Sequence, residues 1–279
     1  PADVQKNNGV IDYVAEDEKD ATNIAKKILS YFQGDIKDWK ADDQKKLSNI
    51  MPKDRRWSYP VRDIIKIISD IEEFTEIKPE YGKGIVTCFI RIEGKPFGLL
   101  ANDSQHLGGA IDSEGADKAS SFIEMCSEYG LPLISLIDTP GFMVGPDSEK
   151  EGAVRRMSNL FKIGSKVKVP LTAIFLRKGY GLGAQAMVGG SLHEPVYTAA
   201  WPTGEFGAMG LEGAVKLGFK KELEKIEDNS KREELFNSLV EKLYVKGKAI
   251  EAAAHLEIDS VINPSETRSV ILKSQKAFV

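Results

Sequence analysis

The sequence predicts an α/β protein whose strands pair largely in parallel. Pro132–Ile137, Val169–Leu176 and Val196–Ala200 are short, predominantly apolar runs, as expected of strands buried on both faces. Stretches with helical periodicity separate them, the alternation that builds crossover units. At 279 residues, 42% hydrophobic and 29% charged, the chain can bury a sizeable core.

The elements follow in order. Val10–Val14 reads as a strand, and Glu16–Phe32 as an amphipathic helix with Ile24, Ile28, Leu29 and Phe32 on its apolar face. Gln33–Trp57 is highly charged and aperiodic, so a solvated linker is expected. Val61–Ile71 resumes a helical pattern. Ile85–Ile92 and Phe97–Ala101 are β-type runs joined through Glu93–Pro96 as a hairpin. Ala116–Tyr129 and Glu149–Val167 are expected helices, and Leu182–Val188 is a helix entered through a glycine-rich turn. Phe219–Glu234 carries charges of both signs, with Glu227 four residues before Lys231, as a solvent-facing helix does. Leu235–His255 and Ser265–Phe278 complete a helical segment around the short strand Asp259–Ile262.

Composition excludes several classes. The longest apolar stretches, such as Leu131–Ile137, fall far short of the ~20 residues of a membrane span. No charged start precedes an apolar run, so secretion is not expected. Cys88 and Cys126 are too few for a disulfide framework, and a reducing cytoplasm suits them. With 38 basic and 42 acidic residues, the net charge of −4 argues against broad capture of nucleic acid. His106, His193 and His255 show no metal-ligand spacing, and no metal site is expected. There is no Gly-x-Ser-x-Gly elbow and no Walker loop.

The strongest local signals are glycine turns at strand ends. Ile137-Asp138-Thr139-Pro140-Gly141-Phe142 leaves a buried strand sharply, at the sheet edge where ligands bind, or is an ordinary turn. Arg177-Lys178-Gly179-Tyr180-Gly181-Leu182-Gly183-Ala184-Gln185-Ala186-Met187 follows another strand and opens a helix. Its amides suit a developing oxyanion, a phosphate, or close helix–strand packing. Trp201–Gly213 repeats glycine often enough to hug another backbone, in the core or at a subunit contact.

Together and in this order, these motifs resemble the C-terminal half of the carboxyltransferase component (β-type subunit) of biotin-dependent acyl-CoA carboxylases. The resemblance covers nearly the whole chain. It runs through Ala101-Asn102, Gly108-Gly109, Lys118-Ala119, Phe122-Ile123, Asp138–Phe142, Glu151-Gly152 and Val169-Pro170. Tyr180-Gly181, Ala186-Met187, Trp201-Pro202, Met209-Gly210, Glu212-Gly213-Ala214, Pro264 and Glu266-Thr267-Arg268 complete it. It implies the crotonase-like (ClpP-like) fold, a spiral of strand-strand-helix units with a helical C-terminal segment. Gly9-Val10-Ile11-Asp12 with Ala15-Glu16 resembles the end of the family's N-terminal half. The expected division is therefore 1–57, the end of that half plus linker, and 58–279, the C-terminal carboxyltransferase domain.

The resemblance implies transfer of a carboxyl group from carboxybiotin to the α-carbon of a short-chain acyl-CoA. The substrates bring their own base, and the protein orients them and stabilises oxygens that gain charge. The C-terminal half supplies a backbone-amide oxyanion hole for biotin, and this pair falls on Leu182 and Gly183. The family usually has Gly then Ala there, so Leu182 departs from it. Gly141, Phe142, Tyr180, Gly181, Ala184 and Gln185 are the implied biotin- or substrate-binding positions, and Gln185 falls where acyl preference is adjusted. Acetyl, propionyl and longer acyl groups all stay open. Gly183→Val is expected to preserve folding and slow transfer ~10²-fold.

No Met-Lys-Met attachment motif and no ATP-grasp loop occur, so biotin, its carboxyl carrier and biotin carboxylase are expected on other components. Further implied partners are an acyl-CoA and the N-terminal carboxyltransferase half, in a dimer-based hexamer without membrane insertion. Alternatives are a biotin-dependent decarboxylase subunit acting on a carboxyl-acyl-CoA, and a non-catalytic assembly subunit. A crotonase-like hydratase or hydrolase would need a base, for which Glu205 and Glu212 are the candidates.

Overall fold

Strands that are apolar on both sides need cover on both sides, and the sheet has it. A computed structural model describes residues 1–276. β1 (Phe74–Ile77), β2 (Ile85–Ile92), β3 (Lys95–Asn102), β4 (Leu133–Thr139), β5 (Leu171–Tyr180), β6 (Tyr197–Ala200), β7 (Glu205–Gly207) and β8 (Ser260–Val261) share one sheet. Its order is β1-β2-β3-β4-β5-β6-β8, and β7 extends from the end of β5. The β1–β2 and β2–β3 pairs are antiparallel; every other pair is parallel.

Alternate residues of each central strand enter different cores, as the two-residue side-chain period demands. On one face Phe89, Leu100, Ile137 and Phe175 meet Phe122 and Leu160. On the other, Ile90, Leu99, Leu136 and Ile174 meet Ile64, Ile68 and Ile271. The helices are α1 (Ala2–Asn7), α2 (Glu18–Ser30), α3 (Val61–Ile68), α4 (Ser113–Glu128), α5 (Pro146–Lys150) and α6 (Ala153–Gly164). They continue with α7 (Gly181–Met187), α8 (Leu211–Gly218), α9 (Lys220–Glu224), α10 (Asn229–Lys246), α11 (Ala249–Ala254) and α12 (Thr267–Lys276). Asp17, Asp112 and Asp228 cap α2, α4 and α10 by accepting a first-turn backbone N–H.

The β2–β3 hairpin forms as expected, with Ile92 opposite Lys95 and positive φ at Glu93 (52°) and Gly94 (78°). The Asp70 carboxylate steadies that turn, accepting from the Glu93 N–H at 3.1 Å and the Gly94 N–H at 2.8 Å.

Several expectations fail, each for a local reason. Val10–Val14 is not a strand. Val10 and Val14 are exposed, and the segment is tied down through Lys78, whose Nζ donates to Gly9 O at 2.7 Å. Gln33–Trp57 is exposed over much of its length, as expected, but it is held against the domain rather than free in solvent. Ile36 N–H donates to Gly94 O at 3.1 Å, Arg91 donates to Gly34 O at 2.9 Å, and Leu47, in a 3₁₀ turn over Gln44–Asn49, is fully buried. Leu47, with Ile50 and Met51 packed on the same core, docks a stretch whose average looks polar.

Glu149–Val167 breaks into α5 and α6 at Gly152, whose φ is +70°. Leu235–His255 breaks at Gly247, whose carbonyl accepts from Phe206 N–H of β7 at 2.6 Å. β1, β7 and α8 were not foreseen. The last two residues of the expected Ser265–Phe278 helix lie outside the described residues. No described helix is long and apolar enough to cross a membrane.

Candidate active site

β4 and β5 are parallel neighbours with Thr139 opposite Gly179, so their C-terminal turns emerge side by side. After β4 the chain turns at Pro140-Gly141-Phe142. Gly141 N–H donates to Thr139 Oγ1 at 3.1 Å, and Gly141 O accepts from Ile111 N–H at 3.0 Å. Met143 N–H donates to Ile111 O at 2.8 Å, so the turn is held from both sides. The Phe142 ring packs on Phe161 with centroids 6.1 Å apart.

After β5 the chain enters α7 directly. No side chain caps this helix, so its first-turn amides have neither an intrahelical partner nor a cap. Gly181 has φ +58°, and a Cβ there would meet Ala208 O at 2.7 Å. A Cβ on Gly183 would lie 2.7 Å from Gly141 Cα and carbonyl carbon, and 2.9 Å from Phe142 N. The expectation that Gly183→Val leaves folding intact therefore fails: that side chain would enter the backbone of the neighbouring turn.

Leu182, Gly183, Gly141 and Phe142 thus meet at one point of the sheet edge. The Leu182 side chain is 63% exposed above it, and Gln185 is also exposed. Ala184 and Tyr180 point inward and are buried. The Tyr180 side chain is therefore no part of the surface a ligand would meet.

Charges beneath the site hold strand ends together. Asp138, fully buried, is paired with Arg177 at 2.8 Å and accepts from Lys178 N–H at 3.0 Å; its own N–H donates to Asn102 Oδ1 at 3.1 Å. Arg177 also donates to Arg55 O and Trp57 O at 2.8 and 2.7 Å, clamping the 55–57 loop onto β5. Lys178 Nζ donates to Gly108 O, and burial lowers its pKa.

Sequence reasoning reached Glu205 only as a candidate base. It is 1% exposed, lies 3.7 Å from Arg55, and among the described residues neither its oxygens nor the Tyr180 hydroxyl has a hydrogen-bond partner. Burial pushes the Glu205 carboxyl up, and the Tyr180 phenol as well. Glu212, the other candidate base, is ion-paired to Arg55 at 2.8 Å. Neither carboxylate stands free at the turn. Among the described residues no group of three or more His, Cys, Asp or Glu could hold a metal ion.

Comparison with known proteins decides the family: the carboxyl transferase domain matches residues 2–279. The chain belongs to the carboxyl transferase family. This carboxyl transferase chain is 33% identical over 284 residues to the methylmalonyl-CoA carboxyltransferase 12S subunit of Propionibacterium freudenreichii subsp. shermanii, covering 97% of this chain and 53% of that protein. A solved single-chain, multi-domain long-chain acyl-CoA carboxylase superposes with TM-score 0.91 at 50% identity, over 98% of this chain and 28% of that one. A transcarboxylase 12S structure, described as a hexamer with methylmalonyl-CoA bound, superposes with TM-score 0.87 at 31% identity, over 99% of this chain and 54% of that one. The fold is accordingly crotonase-like, as the resemblance implied. The chain spans about half the length of the curated relatives it matches.

Proposed function

We propose that this chain supplies the biotin-facing half of an acyl-CoA carboxyltransferase. The supporting observation is the uncapped first turn of α7, packed at contact distance on the Gly141–Phe142 turn at the sheet's C-terminal edge. That arrangement suits the ureido oxygen of biotin: two adjacent amides, small neighbours, and fixed backbone behind them. Leu182 and Gly183 N–H donate to an oxygen that gains negative charge, with α7's dipole adding to their effect. The Gly141–Phe142 turn keeps those amides in place, and Phe142 and Leu182 limit water at the rim. Gly181 and Ala184 give the turn its close approach, and Gln185 faces the acyl group. Carboxybiotin, when bound, supplies the carboxyl group and the base for the α-proton, which accords with the absence of a free carboxylate at the turn.

In this reading residues 1–57 are the end of the N-terminal half and its linker, and 58–279 the C-terminal domain. A complementary half binds the acyl-CoA, a carrier brings biotin from a biotin carboxylase, and the assembly is a dimer-based hexamer in the cytoplasm.

The test is reverse carboxyl transfer from malonyl-CoA or methylmalonyl-CoA to biocytin, by the chain alone and with a complementary N-terminal half. Activity only in the paired preparation supports the half-site, and the preferred thioester names the acyl class. A folded, paired preparation with no transfer from these thioesters or from longer-chain carboxyacyl-CoAs refutes it in favour of an assembly subunit. Coupling of the same reaction to ion pumping would assign the decarboxylase direction.

A further inference from the structure

Between α2, the β1–β2 pair and α4 lies a cavity of about 170 Å³ walled by Ile28, Ile77, Phe89, Phe122 and Met125, with Lys118 reaching it from α4. Lys118 is 2% exposed, and its Nζ has no hydrogen-bond partner among the described residues.

The other polar groups of the lining are already engaged. Thr87 Oγ1 donates to Ile77 O at 3.0 Å, and Ser121 Oγ donates to Asp117 O at 3.0 Å. At the mouth, Lys78 Nζ donates to Gly9 O at 2.7 Å and lies 3.5 Å from Asp12. Glu76, the carboxylate that acts on Lys118 through space, is gripped at both oxygens by Arg62, at 2.6 and 2.8 Å. Arg62 also donates to Asp103, so these charges are committed to one another; they attract Lys118 from a distance but put no acceptor on its Nζ. Burial lowers its pKa to about 8, which still leaves most of it protonated at neutral pH. A buried ammonium without an acceptor is costly, and a ligand that pairs with it recovers that cost.

We propose that this cavity binds a short-chain aliphatic carboxylate, its head group on Lys118 Nζ and its tail among the apolar walls. Size, charge and wall chemistry agree. An engineered cavity of about 150 Å³ takes benzene, so this one admits roughly six to eight heavy atoms, the range from butanoate to hexanoate. A buried water wants two to four polar partners, and here one ammonium is on offer. A phosphate needs several donors and gains nothing from Phe89 or Phe122. A monocarboxylate matches one cation and uses the rest of the space. Bound there, it would tie α4 to α2 and β2 and stabilise all three.

The chain is titrated with sodium butanoate and, separately, with butylamine as a probe of similar size and opposite charge. Ligand-observed NMR and thermal unfolding are the readouts, and Lys118→Met runs beside the parent. Butanoate should bind saturably and raise the unfolding midpoint by a few degrees at concentrations well above its Kd, while butylamine does neither. Lys118→Met should weaken butanoate at least about tenfold. It should also be no less stable than the parent, since it fills similar volume without the charge. The proposal is overturned if butanoate fails to bind the parent, if it binds Lys118→Met equally well, or if butylamine binds as butanoate does. A markedly destabilised Lys118→Met would overturn it too, by placing Nζ in a contact within the fold.

Discussion

Gly183→Val puts a branched side chain at the most crowded point of the proposed site. Its Cβ starts 2.7 Å from Gly141 Cα and carbonyl carbon. Carbon–carbon contacts are comfortable from about 3.5 Å, so the two turns must part by roughly 0.8 Å. They cannot part freely: Gly141 is hydrogen-bonded to Thr139 Oγ1 on one side and to Ile111 N–H on the other. Overpacking of this kind costs about 1–3 kcal/mol, and the helix preference of Val over Gly returns less than about 1. A net loss of about 1–2 kcal/mol lowers the unfolding midpoint of a chain this size by roughly 3–6 °C. Activity should suffer far more. A shift near 1 Å in a positioned group costs ~10²-fold, the same scale as a lost oxyanion donor. Reverse carboxyl transfer with the paired half, read beside thermal unfolding, separates the two effects. Full turnover in a folded Gly183→Val protein would show that these amides do not act, and the reading of α7 would fall with them.

Other expected outcomes concern the groups around this turn. Gln185→Asp, at an exposed position of α7, should change the ratio of activities among acyl-CoAs with little effect on the unfolding midpoint; an unchanged ratio removes Gln185 from the acyl pocket. Asp138→Asn leaves Arg177 buried without its counter-charge and should cost about 3–5 kcal/mol in denaturant unfolding, whereas a loss below ~1 kcal/mol would mean that its other partners suffice. Glu205 has a folded pKa raised above its ordinary 4.5, so it weakens the fold progressively as pH climbs from that value through the folded one. Glu205→Gln removes that slope and should gain on the parent as pH rises; parallel stability curves for the two proteins would contradict the assignment.

What the sequence revealed depended on where the information sits. Ile85–Ile92, Leu133–Ile137 and Leu171–Leu176 were legible because both faces of those strands are buried, which leaves an unbroken apolar run. The hairpin was legible in Glu93-Gly94. β1 and β7 were not, since each is short and defined by pairing with a distant partner. The 33–57 stretch was misread because Leu47, Ile36 and Gly34 dock singly rather than periodically. At the proposed site, the motifs pointed to two turns but not to how they meet. The contact between Gly183 and Gly141 exists only because β4 and β5 are parallel neighbours, a tertiary fact that spacing along the chain does not carry.

The same parallel pairing explains how the buried charges are used. Asp138 and Arg177 lie on adjacent strand ends and satisfy each other, and Arg177 reaches on to the 55–57 loop. Glu205 lies on β7, paired with the last residues of β5, and is sealed beneath the turn with the Tyr180 hydroxyl and Arg55. Asp138 and Arg177 are placed to fix backbone, Glu205 is buried without a hydrogen-bond partner among the described residues, and none is placed to exchange a proton at the surface. A site that works through amides needs fixed geometry more than it needs an acid or a base, because an oxyanion donor displaced by a fraction of an ångström loses most of its effect. Strand-end ion pairs supply that rigidity directly. Loss of the Asp138–Arg177 pair should therefore reduce transfer even in the fraction of molecules that remain folded.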